Sequence, residues 1–266
     1  MKEFDTHRIF NIAHTEDFNA LALDVFRFQY ENNKVYKQFC ELLKKSPQKV
    51  SHHLEIPFLP ISFFKTHRVT STQKKAYTLF TSSGTTQSIT SKHFVPDIAL
   101  YEESFQRAFK QFYGKPEDFC VLALLPSYLE RKGSSLIYMV NSLIQKSEHP
   151  DSGFYLHNLE ELHQKLQELE QKKTKTLLIG VSFALLDLSE QFPIALKNTI
   201  VMETGGMKGR RKELIREELH HILKQGLGVD SIHSEYGMTE LLSQGYSKGD
   251  GIFTTPPWMK IITRDT

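Results

Sequence analysis

From residue 119 onwards, short apolar runs alternate with amphipathic helical stretches, and this alternation constrains the fold more than any other feature of the chain. Apolar runs of strand length lie at 119–125, 176–181 and 199–202, and leucines at helical spacing fill 156–169. Strands separated by helices of this length indicate a mostly parallel sheet, and uninterrupted apolar runs indicate strands buried on both faces. The residues predicted for the apolar face of a further helix are Ile215, Leu219 and Ile222. We therefore predict an α/β fold of mostly parallel sheets flanked by helices.

The beginning of the chain has a different character. Residues 1–75 are predicted to form a helical segment that packs on an α/β core made of residues 76–266. Thr15 is the predicted N-cap of the first helix, whose first turn is acidic, and Leu43 is predicted on the apolar face of the second. The proline-rich stretch 56–61 cannot continue a helix and predicts an extended connection.

A hydroxyl-rich loop follows a short apolar run near residue 80. Its backbone N–H groups and hydroxyls can donate to phosphate oxygens, and its glycine allows close backbone approach. A lysine further on can add a point charge to the same phosphates. The same composition is also typical of an ordinary flexible turn, and the Gly-Lys-Ser/Thr of a Walker loop is missing. The candidate phosphate-binding residues are Thr81, Ser82, Ser83, Gly84, Thr85, Thr86 and Lys92.

A second candidate segment reads Tyr-Gly-Met-Thr-Glu over residues 236–240. Tyr236 can stack on a base, Thr239 can donate to a phosphate, and Glu240 can hold a hard cation that bridges phosphate oxygens. Taken alone, the segment is equally typical of a strand end with a capped turn.

A glycine pair ends the strand-type run at 199–202 and precedes a helix. Open α/β sheets bind ligands at this position, beyond the carboxyl ends of their strands. An ordinary tight turn would have the same composition, and the spacing of a dinucleotide fingerprint is absent. The two glycines are Gly205 and Gly206.

The order and spacing of these segments resemble the adenylate-forming superfamily, which includes acyl-CoA synthetases, luciferases and peptide-synthetase adenylation domains. The stretch 82–87 is similar to the phosphate loop of that superfamily, and 236–240 is similar to its adenine- and magnesium-binding motif. Within the superfamily the chain resembles the LuxE-type acyl-protein synthetases, relatives of the phenylacetate-CoA ligases. That resemblance runs over nearly the whole chain and includes the segments 56–61, 125–131 and 235–243.

The resemblance implies an ATP- and Mg²⁺-dependent ligase that activates a carboxylic acid, expected to be a fatty acid, as an acyl-adenylate and passes it to a thiol. In such enzymes the loop that begins at Thr81 cradles the β- and γ-phosphates, Thr239 contacts the α-phosphate, and Glu240 binds magnesium. The residues implied to frame adenine are Gly205, Gly206, Tyr236 and Gly237. Tyr128 stands where relatives often line the acyl site, although a core or rim tyrosine is an equal interpretation.

The chain also departs from the superfamily pattern. Gln87 stands in place of the usual glycine of the phosphate loop, and the spacing from this loop to Lys92 is longer than usual. The chain stops at Thr266, before the usual places of a ribose-binding aspartate and of the C-terminal domain with its adenylation lysine. We therefore expect a C-terminally truncated member, with activity impaired by the missing part.

Composition narrows the alternatives. A net charge of +2 gives no electrostatic case for nucleic acid or an anionic membrane, and no stretch reaches the length of a membrane span. The cysteines, Cys40 and Cys120, are too few for a disulfide framework and are predicted to be buried free thiols in a cytoplasmic protein. Histidines show no metal-ligand spacing. The expected partners are a carboxylic acid and a thiol acceptor, either a protein cysteine or CoA, with a reductase or a second copy as further options.

Two other functions remain open from the sequence. An aryl or fatty acid CoA ligase would differ mainly in its thiol acceptor. A truncated module that binds nucleotide or acyl group with little turnover would fit the early end of the chain. The hypothesis common to all three is that the turns near Gly84 and at Glu240 lie in one cleft and contact one triphosphate.

Overall fold

The computed structural model describes residues 4–72, 77–83, 89–126, 133–205 and 211–263. The chain divides into two compact units. The first, named here the helix–hairpin unit, comprises Met1–Ser104, Met238–Ser243 and Thr255–Thr266. The second, the sheet unit, comprises Phe105–Gly237 and Gln244–Thr254. The predicted division into 1–75 and 76–266 stays a prediction.

The helix–hairpin unit begins with helices and ends its first part with an antiparallel hairpin. Its elements are helices α1 (Thr15–Asn32), α2 (Lys34–Leu42) and α3 (Phe63–Thr66), strands β1 (Thr78–Thr81) and β2 (Lys92–Val95), and the start of helix α4 (Ile98–Tyr113). Short 3₁₀ turns lie at Thr6–Asn11, Pro47–Lys49 and His53–Glu55. Phe26, Tyr36 and Cys40 are buried together where α1 packs on α2. Burial of these apolar side chains stabilises the pair of helices.

The sheet unit contains a seven-stranded sheet with helices between its parallel strands. Its strands are β3 (Cys120–Leu124), β4 (Gly153–Phe154), β5 (Thr176–Gly180), β6 (Thr199–Thr204), β7 (His233–Tyr236), β8 (Gly245–Ser247) and β9 (Phe253–Thr254). The helices are α5 (Ser135–Ser147), α6 (Leu159–Gln171), α7 (Ser182–Gln191) and α8 (Arg216–Leu227), and a 3₁₀ turn lies at Pro116–Asp118. The strand order is β4-β3-β5-β6-β7-β8-β9.

The pairing within this sheet confirms the predicted α/β class. Strands β3 to β7 pair in parallel, whereas β8 and β9 are antiparallel. All five residues of β3 and all five of β5 are buried, because helices α5 to α8 are available to cover both faces of a parallel sheet. Consequently the carboxyl ends of β6 and β7 lie side by side at one edge of the sheet.

Local boundaries differ from the sequence predictions in three places. The first helix begins at Thr15, and its N-cap is His14, whose backbone N–H donates to the Asp17 carboxylate (2.9 Å). Leu43 lies just beyond α2 and is 51% exposed, so it is not on the buried face. Ile215 is the N-cap of α8 and is 68% exposed. At Leu43 and Ile215 the apolar periodicity extended one residue past the hydrogen-bonded helix, whereas at Thr15 the helix begins one residue earlier than the predicted cap allows.

The cysteines agree with the prediction, since both are buried free thiols. Burial raises the pKa of Cys120 to about 11, so this thiol is protonated at neutral pH and a poor nucleophile. In the part of the chain that the structure describes, the helices are too short or too polar to cross a membrane.

Candidate functional site

The carboxyl ends of β6 and β7 bring two acidic side chains together in the sheet unit. The parallel register sets Glu203 opposite Ser234 and Thr204 opposite Glu235. The Thr204 hydroxyl donates a 2.6 Å hydrogen bond to Oε2 of Glu235. This bond joins the two strands at the point where the predicted adenine-binding residues begin.

The two carboxyl groups have opposite electrostatic character. Burial, helped by the charge of Glu203, raises the pKa of Glu235 to about 7 against the hydrogen bond from Thr204. Burial also disfavours the charged form of Glu203, but His220, Ser234 and Arg216 outweigh it and hold the pKa of Glu203 below its ordinary value. At pH 7 Glu203 is therefore ionised, whereas burial favours the protonated form of Glu235.

Surrounding groups account for the charge on Glu203. Nε2 of His220 lies 3.7 Å and a guanidinium nitrogen of Arg216 lies 3.9 Å from Oε1 of Glu203. The Ser182 hydroxyl, at the start of α7, lies 3.4 Å from Oε2 of Glu203 and donates a 2.6 Å bond to the Gly205 carbonyl oxygen. Ser182 thus fixes the chain as it leaves β6.

The two glycines that the structure describes at these strand ends are each required by geometry. Gly205 has φ of +67°, a conformation that residues with a side chain rarely adopt. At Gly237, an added Cβ would lie 2.6 Å from Oε1 of Glu235. The buried carboxyl group therefore occupies the space beneath the turn that follows Tyr236.

Tyr236, the predicted base-stacking residue, is 41% exposed at the end of β7. Its ring meets the edge of Phe253 on β9 at a centroid distance of 6.2 Å. The guanidinium of Arg216 lies 4.8 Å from the centroid of the same Phe253 ring. Tyr236 therefore packs against Phe253 at the end of its strand, while 41% of its surface is exposed.

In the helix–hairpin unit, the hydroxyl-rich loop leaves the end of β1. Strand β1 pairs with β2 so that Thr81 lies opposite Lys92. Ser82 continues the hairpin, because its N–H donates to the Ser91 carbonyl (3.2 Å) and its hydroxyl oxygen accepts from the Ser91 N–H (2.9 Å). Ser83 is exposed at the point where the loop leaves the hairpin.

The turn that carries Thr239 and Glu240 contacts this hairpin through His93. Nδ1 of His93 lies 2.9 Å from the Thr239 carbonyl oxygen, and since a carbonyl can only accept, Nδ1 carries the proton. Burial lowers the pKa of His93, although the Thr239 carbonyl and the Glu240 charge act in the opposite direction. His93 is therefore a neutral donor at pH 7. The turn itself is closed by the Leu241 N–H donating to the Met238 carbonyl (3.1 Å).

Lys92 and His93 leave β2 on opposite faces, since successive side chains of a strand alternate. His93 is the residue that contacts the Thr239 turn, and Lys92 is exposed on the other face with Thr81. The structure thus brings the hairpin and the Thr239–Glu240 turn together, but through a neighbour of the predicted lysine. The phosphate roles of Lys92 and Thr81 stay predictions.

Several predicted residues lie outside the described ranges, namely Gly84, Thr85, Thr86, Gly206 and Tyr128. Of the predicted residues that are described, Thr239 and Glu240 lie beside the hairpin that carries Thr81, Ser82 and Ser83. In the sheet unit, Gly205, Tyr236 and Gly237 lie on neighbouring strand ends.

The sequence analysis assigned no role to Glu235, Thr204 or His93. Glu235 directly precedes the Tyr-Gly-Met-Thr-Glu segment, and an acidic residue in an otherwise buried strand was the available signal. For His93, the only feature of the sequence that could have indicated a role was its position next to the predicted Lys92. Strand pairing, which a single sequence does not give, is what sets these residues beside their partners.

Glu240 is half-buried in its turn, and its carboxylate is the type of ligand that Mg²⁺ prefers. Within the described ranges, no group of three or more His, Cys, Asp or Glu side chains is arranged to hold a metal ion. Magnesium in nucleotide sites commonly uses one or two carboxylates together with substrate phosphates. The single carboxylate of Glu240 fits this kind of site.

Comparison with known proteins identifies the class and then the family. The mixed α/β fold, with its mostly parallel sheet flanked by helices, is similar to the fold of an adenylate-forming ligase. The structure is similar to an open conformation of 2-hydroxyisobutyryl-CoA ligase in complex with 2-HIB-AMP and CoA, with a TM-score of 0.54 and 11% sequence identity. The family model described as "Acyl-protein synthetase, LuxE" matches residues 13–253. The chain belongs to the LuxE acyl-protein synthetase family.

The coverage of the two chains is unequal. The similarity to the ligase covers 90% of this chain and 60% of the ligase chain. The chain therefore spans less than two thirds of the ligase's length. No curated protein matches the sequence.

Proposed function

We propose that the protein activates a carboxylic acid, preferentially a fatty acid, with ATP and Mg²⁺, and that the resulting acyl-adenylate is transferred to a thiol. The observation that carries this proposal is the contact of His93 with the Thr239 carbonyl. This contact places Glu240, the only carboxylate of the Tyr-Gly-Met-Thr-Glu segment, beside the β1–β2 hairpin, from which the hydroxyl-rich loop emerges. Membership of the LuxE family supports the same reaction.

In the first step, a carboxylate oxygen of the acid attacks the α-phosphorus of ATP, and the bond to the bridging oxygen breaks to release pyrophosphate. The nucleophile is already ionised at neutral pH, so the protein must mainly position the reactants and neutralise charge. The loop of Thr81, Ser82 and Ser83 donates to the β- and γ-phosphates, and the Thr239 hydroxyl donates to the α-phosphate. Glu240 holds the magnesium ion, which would neutralise phosphate charge when bound.

Adenine recognition is assigned to the strand ends of the sheet unit. Tyr236 is 41% exposed and has an aromatic ring of the type that stacks on adenine, and the backbone of Gly205 and Gly237 allows close approach. The hydrogen bond from Thr204 to Glu235 holds the two strand ends in register. In this scheme Glu235 and Thr204 are positioning residues.

In the second step, a thiolate attacks the acyl carbon, a thioester bond forms, and AMP leaves with the electron pair of the broken anhydride bond. A protein cysteine and CoA are both candidates for the acceptor. CoA is bound in the similar ligase structure, whereas the family description names a protein acceptor. Neither of the chain's own thiols suits this role, since both are buried and burial raises the pKa of each.

The test is acid-dependent exchange of labelled pyrophosphate into ATP, measured with and without Mg²⁺ on a panel of acetate, hexanoate, myristate and phenylacetate. We expect exchange that requires Mg²⁺ and is fastest with myristate. Exchange fastest with phenylacetate would favour an aryl acid ligase. No exchange with any acid, from protein that binds ATP, would replace the proposal with a nucleotide-binding module.

A further inference from the structure

The helix–hairpin unit contains a large apolar cavity, and its lining includes none of the predicted site residues that the structure describes. Its volume is about 490 Å³, within the range of about 300–1,000 Å³ typical of small-molecule sites. The cavity opens to the surface at Phe58, so a ligand can enter it from solvent.

The wall of the cavity is almost entirely aliphatic and aromatic. Helix α1 supplies Leu21, Ala22 and Val25, and other wall residues come from the segments around Ile9, Phe58 and Trp258. An apolar cavity excludes water and binds apolar ligands in its place. Phe58 is 50% exposed, so the wall reaches the surface and a ligand has a way in.

The polar residues in the wall direct their hydrogen bonds into the protein. The Tyr36 hydroxyl donates to the Pro57 carbonyl (2.8 Å), and Asn33 Oδ1 accepts from the Tyr36 N–H (3.2 Å). Oε1 of Gln29 accepts from the Ser71 hydroxyl (3.1 Å) and from Asn33 Nδ2 (3.3 Å). The occupant is thus held by apolar contact along this part of the wall.

The volume distinguishes a long alkyl chain from a single aryl ring. A cavity of about 150 Å³ is sufficient for one benzene molecule. The present cavity offers roughly three times that room, and an aryl acid would leave most of its wall without contact. A flexible alkyl chain can fill the whole space.

Two wall residues connect the cavity to the turn of Thr239 and Glu240. The Phe64 ring meets the edge of the His93 ring at a centroid distance of 5.6 Å, and His93 bonds to the Thr239 carbonyl. The Nε1–H of Trp258 is shared between the hydroxyl oxygens of Ser104 (3.0 Å) and Ser243 (3.1 Å), and Ser243 lies just after the same turn. The cavity therefore lies within reach of the place where the acyl carboxyl group is proposed to react.

We infer that this cavity, walled by α1, the segment 56–59 and Trp258, binds the alkyl chain of the acyl substrate and sets its preferred length. The inference rests on the proposed function, because the chain is that of the acid being activated. Ala22 and Val25 are the wall positions whose side-chain size decides how much chain is accommodated.

The test is competition against a fluorescent C18 fatty acid, cis-parinaric acid, by unbranched acids of six to sixteen carbons, with no ATP present. Each methylene that enters the cavity should raise the affinity about fourfold, until the cavity is full and the affinity levels off. Ala22→Phe should move this levelling-off point to a shorter acid and weaken myristate at least tenfold. The matched control is Ala20→Phe, which adds the same ring on the exposed face of α1 and should change neither.

A milder variant, Ala22→Leu, covers the case in which the phenylalanine prevents folding, and circular dichroism reports folding for each protein. Chain-length dependence that is unchanged in folded Ala22 variants, or equally changed in Ala20→Phe, would overturn the inference. Binding that follows the expected pattern without any pyrophosphate exchange would reject the proposed function and leave the cavity as an alkyl-chain site. If pyrophosphate exchange has the same acid preference in the wild type and in the Ala22 variants, the cavity is rejected as the substrate's site.

Discussion

The two units of the chain use their apolar residues differently. In the sheet unit, the ten residues of α7 include seven buried ones, and every residue of β3 and β5 is buried. In the helix–hairpin unit, the eighteen residues of α1 include only two buried ones, Leu21 and Phe26. The first arrangement fixes backbone positions at strand ends, whereas the second leaves apolar surface facing a cavity.

The contrast shows that the closely packed backbone belongs to the sheet unit, whereas the room for an apolar ligand belongs to the helix–hairpin unit. Close packing around a parallel sheet holds Thr204 and Glu235 within a short hydrogen bond, because neither strand can shift without disturbing several neighbours. Because α1 is only partly covered, burial of its apolar side chains contributes less free energy than full packing would. A bound alkyl chain would restore that contribution. We therefore expect substitutions in the two units to affect different measurements.

The largest expected effect is on activity, from Glu240→Gln. Loss of the proposed magnesium carboxylate should slow pyrophosphate exchange by on the order of a thousandfold, corresponding to several kcal/mol of barrier. The free energy of unfolding should change by less than about 0.5 kcal/mol, as for substitutions outside the core. Glu41→Gln, an exposed change in the same unit, is the control and should leave exchange unaltered.

A Glu240→Gln protein that unfolds more easily, or one that retains full exchange, would contradict this division. In the first case the turn would have a structural role, and in the second the metal would be held by other groups.

The next largest effect concerns the pH dependence of stability, tested with Glu235→Gln. The pKa of Glu235 is about 7 in the folded chain and 4.5 ordinarily, so between these values the folded state binds more protons than the unfolded state. The contribution of this group to stability is complete below pH 4.5 and is lost as the pH rises through 7. Relative to the wild type, Glu235→Gln should therefore gain about 3 kcal/mol between pH 4.5 and pH 8.

The measurement is urea denaturation at a series of pH values for the wild type and the variant. The exposed change Glu217→Gln, also in the sheet unit, should keep the wild-type slope. Parallel curves for Glu235→Gln and the wild type would mean that Glu235 is ionised in the folded chain.

The smallest effect compares one substitution in the two units. Val121→Ala removes a fully buried side chain from β3 and should cost about 2–3 kcal/mol, combining lost burial with the cavity that is left. Val25→Ala widens a cavity that is already present, and should cost about 1 kcal/mol or less, because the removed atoms had fewer neighbours. Denaturant unfolding measures the loss of stability in each variant. Amide hydrogen exchange in the native state then assigns that loss to one of the two units. Equal costs at the two positions would show that α1 is packed as tightly as the sheet.

Much of the fold was accessible from sequence pattern. The uninterrupted apolar runs near Val121 and Leu178 indicated strands buried on both faces, and the structure confirms them. Leu43 and Ile215 were predicted on the apolar faces of helices but lie one residue outside them, because apolar periodicity does not show where backbone hydrogen bonding stops. The roles of the predicted nucleotide-binding residues stay predictions.

The sequence by itself determined the α/β class and the family, and it located the segments predicted to carry the chemistry, because periodicity and short motifs are local properties of the chain. Only the tertiary structure decided that His93 is the hairpin residue that contacts the Thr239 turn, that Glu235 is buried against Thr204, and that α1 faces a cavity. These features depend on contacts between residues far apart in the chain, 146 positions in the pair of His93 and Thr239. Pairing at such separations follows from how sheets and helices pack, which local pattern does not encode.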